Sequence, residues 1–344
     1  MKRITIRDIA RVAGVHFTTV ALCLRNSPRI SAETKERVLK LAKELGYSPD
    51  PMLRALSIYR RKGKQSGYRA ALAWFNNHPP EEDAHRYQLY DDYFQGAVDQ
   101  AAQHGFRIDE FQLRAPHFSP SRIRSILQAR AIQGILIGPQ PSGTSEVGFN
   151  FENFSAVTFG YSLQHPVVEI VCHDHYEQMA LILRQLRLLN YRRVGFVTST
   201  AFEDRCASNW LAAYWIDYFR QPSQHRLAPL MAPHLDRIEA GRFKEWFAKE
   251  KPDVIVSTLA SHLIIPLLEK LGLSIPGDIG YAQHSLCMTH DNLAGIYEDG
   301  VALGANAVNL LITLLHRQVL KERQTPGRLL TVGAWRQGNS VRYQ

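Results

Sequence analysis

Residues 5–56 read TIRDIARVAGVHFTTVALCLRNSPRISAETKERVLKLAKELGYSPDPMLRAL. Ile6, Ile9, Ala10 and Ala13 recur at i, i+3, i+4 and i+7, the stripe of one helical face. Thr5 stands where an N-cap belongs, and Asp8 falls in the first turn, where a carboxylate meets the positive end of the helix dipole. Gly14 ends that helix. A second short helix starting near Phe17 buries Val20 and Leu24, and NSPRIS marks a loop before Ser31 caps a third. Val38, Leu41, Ala42 and Leu45 form the third stripe, which Gly46 closes. The spacing from small Ala10 through Gly14 to Val20 lets two helices cross steeply, as in an all-α helix-turn-helix headpiece over residues 1–48.

Charge supports a nucleic-acid partner for this segment. Of the 41 Lys+Arg and 32 Asp+Glu, residues 1–64 hold 15 and 5, which leaves 26 and 27 for the rest. A basic module on a near-neutral body is the electrostatic footprint of DNA binding; a solvated basic tail would share the charge but lack the apolar periodicity. Residues 49–67 differ in character. Pro49 and Pro51 break the bundle, and PMLRALSIY allows one short helix that is too brief to be stable alone, so it is either a hinge that folds on a partner or a plain linker.

From Thr5 to Leu56, without a gap, this stretch resembles the lactose-repressor (LacI/GalR-type) family of bacterial transcription regulators. The resemblance implies that the second helix enters the major groove of a double-stranded DNA operator. It also implies that a homodimer reads the two halves of a palindrome, and that Leu56 of the hinge helix wedges into the minor groove with Arg54 beside it. By the same route Thr5 and His16 flank the DNA-facing surface, Phe17 and Thr18 touch base edges, and Thr19 meets a phosphate. The usual Ser-Arg pair is Ala21-Leu22 here, the usual capping Ser is His16, and Arg25 replaces a common Asn. Leu22 cannot make the bidentate guanine contact of Arg; it either packs on a thymine methyl or joins the core. Arg25 and Arg29 suit phosphates, which position a protein without specifying sequence.

Residues 68–344 alternate short apolar runs (AALAWF, IQGILIG, SAVTFGY, VVEIVC, RVGFVT, DVIVST, DIGYA) with amphipathic helical patterns, which predicts α/β architecture with parallel sheets covered on both faces. The resemblance refines this to a two-lobed, periplasmic-binding-protein-like effector domain. The lobes are expected at about 68–162 plus 297–323 and about 165–293 plus 327–344, with crossings near 161–167, 292–297 and 322–328. A small-molecule effector is expected between them. Strand ends nominate Trp74 and Phe75, as ligand aromatics or as lobe core, with Asp174 at the cleft entrance and Arg205 as ligand contact or surface charge. Three further positions depart from the family: its effector-gripping Arg aligns with Trp210, an Asn-Asp pair with Ser257-Thr258, and an Asp with Ser285. Those losses predict a pocket with less charged hydrogen bonding, for an effector more apolar or aromatic-stacked than a free hexose, or a lapsed effector site. A carbohydrate-related effector is what the resemblance alone implies.

Competing readings find less support. VCHDH and HSLCMTH bring His and Cys together, but match no zinc spacing, and His173 and His175 on an extended strand would face opposite ways, so neither metal nor cofactor is expected. GxSxG, HExxH, Walker and GxGxxG patterns are missing from the sequence, so an α/β enzyme reading lacks its motifs. Cys23, Cys172, Cys206 and Cys287 are scattered singly, as in a reduced cytoplasmic protein, and the charged start MKRITIRDIARVAG is not the signal that a standalone solute-binding protein would need.

Overall fold

The computed structural model describes residues 6–24, 30–45, 70–79, 88–116, 119–141, 145–286, 292–320 and 325–342. Thr5, Arg25, Arg29, Gly46, Arg54, Leu56 and Cys287 lie outside the described residues. The chain divides into two compact units, Met1–Tyr68 and Arg69–Gln344.

In the first unit, α1 (Ile6–Ala13), α2 (Phe17–Leu24) and α3 (Ala32–Glu44) enclose a core of Ile9, Ala10, Ala13, Val20, Cys23, Val38 and Ala42. The turn after α1 passes through Gly14 at φ +65°, and the Val15 N–H donates to the Ala10 carbonyl at 3.1 Å. A Cβ there would strain the left-handed backbone, which explains glycine at this helix end. His16 precedes α2, and its carbonyl accepts from the Thr19 and Val20 amides. Ser31 begins α3 by accepting from the Lys35 amide at 3.1 Å on its own carbonyl, with its side-chain oxygen 3.4 Å from the Thr34 amide.

The second unit holds two six-stranded sheets. In chain order its elements are β1 (Ala70–Asn76), α4 (Gln88–Gln103), β2 (Phe106–Gln112), α5 (Pro120–Ala129), β3 (Gly134–Ile137), β4 (Ser145–Glu146), β5 (Ser155–Phe159), β6 (Leu163–His165) and β7 (Glu169–His173). Then follow α6 (His175–Leu188), β8 (Val194–Ser199), α7 (Thr200–Arg205), α8 (Asn209–Arg220), β9 (Leu230–Ala232), α9 (Ala240–Glu250), β10 (Val254–Ser257), α10 (Ser261–Lys270), β11 (Gly280–Leu286) and β12 (Ala294–Tyr297). The last are α11 (Gly300–Leu320), β13 (Arg328–Thr331) and β14 (Ala334–Arg336).

One sheet has the order β13-β7-β5-β3-β1-β2 and is parallel throughout; the other runs β14-β12-β11-β10-β8-β9 and is parallel except for β12 with β14. Each sheet is sandwiched between two apolar layers, as the continuous apolar strands require. The strand order corrects the expected crossings. VVEIVC forms β7 in the first sheet, not the second, so the chain crosses at residue 174, between Tyr297 and Gly300, and between Thr331 and Ala334. Periodicity locates a strand but does not say which sheet receives it; hydrogen bonding of β7 to β5 and β13 decides that.

Two helices of the first lobe touch almost backbone to backbone. A Cβ on Gly96 of α4 would lie 2.0 Å from the Val301 carbonyl oxygen, and one on Gly304 of α11 would lie 2.1 Å from that of Tyr93. At the third crossing Gly333 is equally confined, with Ile296 Cγ2 at 2.4 Å from such an atom. These glycines set the position of α11 and the path by which the chain returns to the second lobe.

Candidate functional site

The first unit presents the start of α2 to solvent. Phe17 is 45% exposed, Thr18 is exposed and Thr19 half-buried. His16 Nδ1 lies 2.8 Å from Thr18 Oγ1, and its ring sits 4.3 Å from that of Phe17. The imidazole thus contacts the first turn of α2 through the side chains of Thr18 and Phe17. Leu22 is half-buried and, among the described residues, is not part of the apolar cluster of the bundle.

The second unit contains a cavity of about 130 Å³ between its lobes. The carboxyl ends of strands from both sheets meet there, as doubly wound folds lead one to expect. From the first lobe come Tyr90 and Tyr93 of α4, Phe159 and Tyr161 at the end of β5, and Cys172 and His173 of β7. His175 opens α6, and from the second lobe come Phe202 and Arg205 of α7, Cys206, Trp210 of α8, and His284 and Ser285 of β11. Glu298 lies in the second crossing and completes the lining.

Arg205 reaches across the cleft, donating from Nη1 to the Gln140 carbonyl at 2.7 Å and from Nη2 to the Tyr90 hydroxyl. Trp210 lies between His175, near parallel at 5.8 Å, and His284, edge-on at 5.4 Å. His175 Nε2 is 3.7 Å from Cys172 Sγ, and burial pushes the His175 pKa down to about 4, so it is neutral at pH 7. Glu298 is 6% exposed and accepts from the Ser285 hydroxyl. Burial pushes its carboxyl up, yet His173, the Ser285 hydroxyl, His175 and His284 outweigh that and hold it below the ordinary glutamate value. Three buried nitrogens of the lining, His173 Nε2, His175 Nδ1 and Trp210 Nε1, have no hydrogen-bond partner among the described residues. Buried polar atoms are rarely left so unless a ligand or water completes them.

The sequence pattern described as "Bacterial regulatory proteins, lacI family" matches residues 5–50. That match spans less than half of the chain. The chain is 42% identical over 57 residues to the "Probable HTH-type transcriptional repressor ExuR" of Bacillus subtilis (strain 168), a match that covers 17% of each protein. It is 21% identical over 336 residues, 92% of its length and 96% of the other, to the "NTD biosynthesis operon regulator NtdR" of the same strain. Among solved structures, the lac repressor dimer bound to operator and the anti-inducer ONPF superposes with a TM-score of 0.55 at 16% identity, covering 99% of both chains. That likeness concerns the fold; these named relatives are transcription regulators, not enzymes.

Of the effector residues nominated from the sequence, Arg205, Trp210 and Ser285 line the cavity, and four others do not. Phe75 is fully buried against Phe111, Phe149 and Phe151 on the far side of β1. Trp74, its neighbour on the opposite face, packs on Phe94 and Phe159 and borders a smaller recess with Asn76 and His78. Asp174 caps α6, accepting from the Glu177 amide at 3.0 Å. Thr258 donates to Thr198 Oγ1 at 2.7 Å, and Thr198 donates to buried Glu203 at 2.8 Å, whose carboxyl burial raises. Glu203 also accepts from the Leu211 amide, so this relay braces the helix that carries Arg205.

Besides its aromatic rings the cavity is lined by Glu298, Arg205 and three imidazoles, of which only Arg205 was nominated from the sequence. His173 and His175 do converge: the strand ends at His173 and the helix begins at His175, so strand alternation no longer applies between them. Among the described residues no group of three or more His, Cys, Asp or Glu is arranged to hold a metal ion. Nor, among them, is any helix long and apolar enough to cross a membrane.

Proposed function

We propose that this protein is a cytoplasmic transcription repressor that binds a palindromic double-stranded operator as a homodimer and answers to a small molecule in the cleft between its lobes. The observation that carries the reading is the solvent-facing start of α2, with Phe17 and Thr18 exposed on a basic three-helix unit matching the lacI family over residues 5–50. Phe17 and Thr18 read base edges, Leu22 packs on a thymine methyl, and Thr19, Arg25 and Arg29 hold phosphates. Arg54 and Leu56 act in the minor groove. Dimerisation supplies the effective concentration that one small headpiece lacks. The effector site is the cavity bounded by Arg205, Trp210, Ser285 and Glu298, and its unpartnered nitrogens favour a working site over a lapsed one.

Selection of binding sites from random duplexes, followed by fluorescence anisotropy, tests the reading. A palindrome is expected to enrich. Phe17→Ala and Thr18→Ala then alter sequence preference, whereas Arg25→Ala and Arg29→Ala weaken every duplex alike and lower the salt slope by about one. No enrichment would remove the reading; equal effects of both classes on selected and random DNA would remove the sorting of contacts.

A further inference from the structure

The cleft holds one feature that an uncharged polyol does not call for. Glu298 is enclosed and belongs to none of the ion pairs formed among the described residues. Among the described residues its one hydrogen bond is from the neutral Ser285 hydroxyl. A carboxylate taken out of water needs a compensating cation, and Arg205 is occupied elsewhere, clasping Gln140 and Tyr90 across the cleft. His173, His175 and His284 favour its ionised form, so Glu298 is a carboxylate at pH 7, but His175 is neutral there and Glu298 forms no ion pair with any of the three.

The surroundings of Glu298 suit a cation that arrives with a ligand. Aromatic rings of Tyr93, Phe159, Tyr161, Phe202 and Trp210 line the same cavity, and ring faces attract a desolvated ammonium group. The indole Nε1 of Trp210 is a buried donor with no acceptor among the described residues, which suits a ligand that also brings an acceptor such as a hydroxyl oxygen. A cavity of about 130 Å³ admits one small ring or a short chain. A dry cavity of about 150 Å³ takes benzene.

We propose that the effector of this cleft is a small hydroxylated ammonium compound, an amino alcohol or an amino sugar, whose protonated nitrogen pairs with Glu298 and whose oxygen accepts from Trp210. The inference rests on the cleft being the effector site. Its occupant is identified by charge: a neutral sugar leaves Glu298 without an ion-pair partner, and a carboxylate would be repelled by it.

Thermal denaturation of the full chain, read with matched pairs, tests this. Ethanolamine is set against ethylene glycol and glucosamine against glucose, with N-acetylglucosamine and glucuronate as uncharged and anionic controls. A saturable rise in Tm is expected with an ammonium member and not with its neutral or anionic counterpart. Glu298→Gln should weaken that ligand at least about 30-fold, the loss typical of removing one partner of a buried charge pair. Trp210→Phe, which keeps a ring and deletes the donor, should weaken it less, and gives a second reading if Glu298→Gln fails to fold. Stabilisation by glucose or glucuronate that survives Glu298→Gln overturns the proposal, as does a panel in which no ammonium compound stabilises the wild-type protein. In either case sequence-specific DNA binding would still stand, whereas a chain that enriches no DNA sequence would fail as a regulator instead.

Discussion

Arg205→Ala should open the cleft. The guanidinium spans the lobes, bonded to the Gln140 carbonyl at 2.7 Å and to the Tyr90 hydroxyl, and neither bond survives separation of the lobes. Hydrogen bonds to a charged donor contribute about 1.5–3 kcal/mol each, and half-exposure of Arg205 reduces this because water replaces part of it, to roughly 1 kcal/mol per bond. Loss of about 2 kcal/mol shifts the closed-to-open ratio about 30-fold. An ensemble about 99% closed would fall to roughly three-quarters closed. Trp210 reports on this directly, since it is 1% exposed at the lobe boundary and opening admits solvent to it. Acrylamide quenching, with Trp210→Phe subtracting the other four tryptophans, should rise in Arg205→Ala, and small-angle scattering should show a larger radius of gyration. Arg205→Lys keeps the charge but not the two-pronged reach, and should fall between. Unchanged quenching and scattering in Arg205→Ala would refute the latch, and with it the role given to the Thr258–Thr198–Glu203 relay that braces α7.

Two further outcomes follow from packing and titration. Gly304→Ala sets a methyl about 2.1 Å from the Tyr93 carbonyl oxygen, where only backbone can yield, and should lower stability by about 3 kcal/mol or prevent folding; a melt within a degree or two of wild type would contradict the close approach of α4 and α11. His175 is held near pKa 4 in the folded chain against about 6.5 unfolded, so the unfolded state binds the extra proton between those values and stability falls as pH drops from about 6.5 to 4. Lowered Glu298 adds a separate loss at more acid pH, below the ordinary glutamate value, as its carboxylate protonates. Urea midpoints across pH 4–7 should therefore slope upward with pH, and His175→Asn should flatten the upper part of that slope; an unaltered slope would assign it to other groups.

The three-helix unit was legible because its signals are local. The stripe of Ile9, Ala10 and Ala13, the left-handed Gly14 and the Ser31 cap each act within a turn or two of chain, and the observed helices begin and end by them. Seven apolar runs likewise became strands, since a run buried on both faces needs nothing distant to be recognised. β2, with its partly exposed FRIDEFQ pattern on a sheet edge, has no such run and was not found. Phe75 was misjudged for a reason of parity. Adjacent strand residues face opposite ways, and the sequence does not say which face of β1 turns toward the cleft.

Glu298 carried no local signal whatever. It is one carboxylate in the short GIYEDG stretch, and its meaning comes from His173, His175 and His284, which lie 125, 123 and 14 positions before it. Helical and strand periods, caps and the segregation of positive charge were settled by the sequence itself, because side-chain spacing and backbone sterics act over a few residues. Which lobe received β7, where the chain crossed, and which polar groups were sealed together without partners were decided by tertiary structure. Those properties arise when strand ends from two sheets converge and exclude water, and burial turns an ordinary glutamate into a charge that needs an ion.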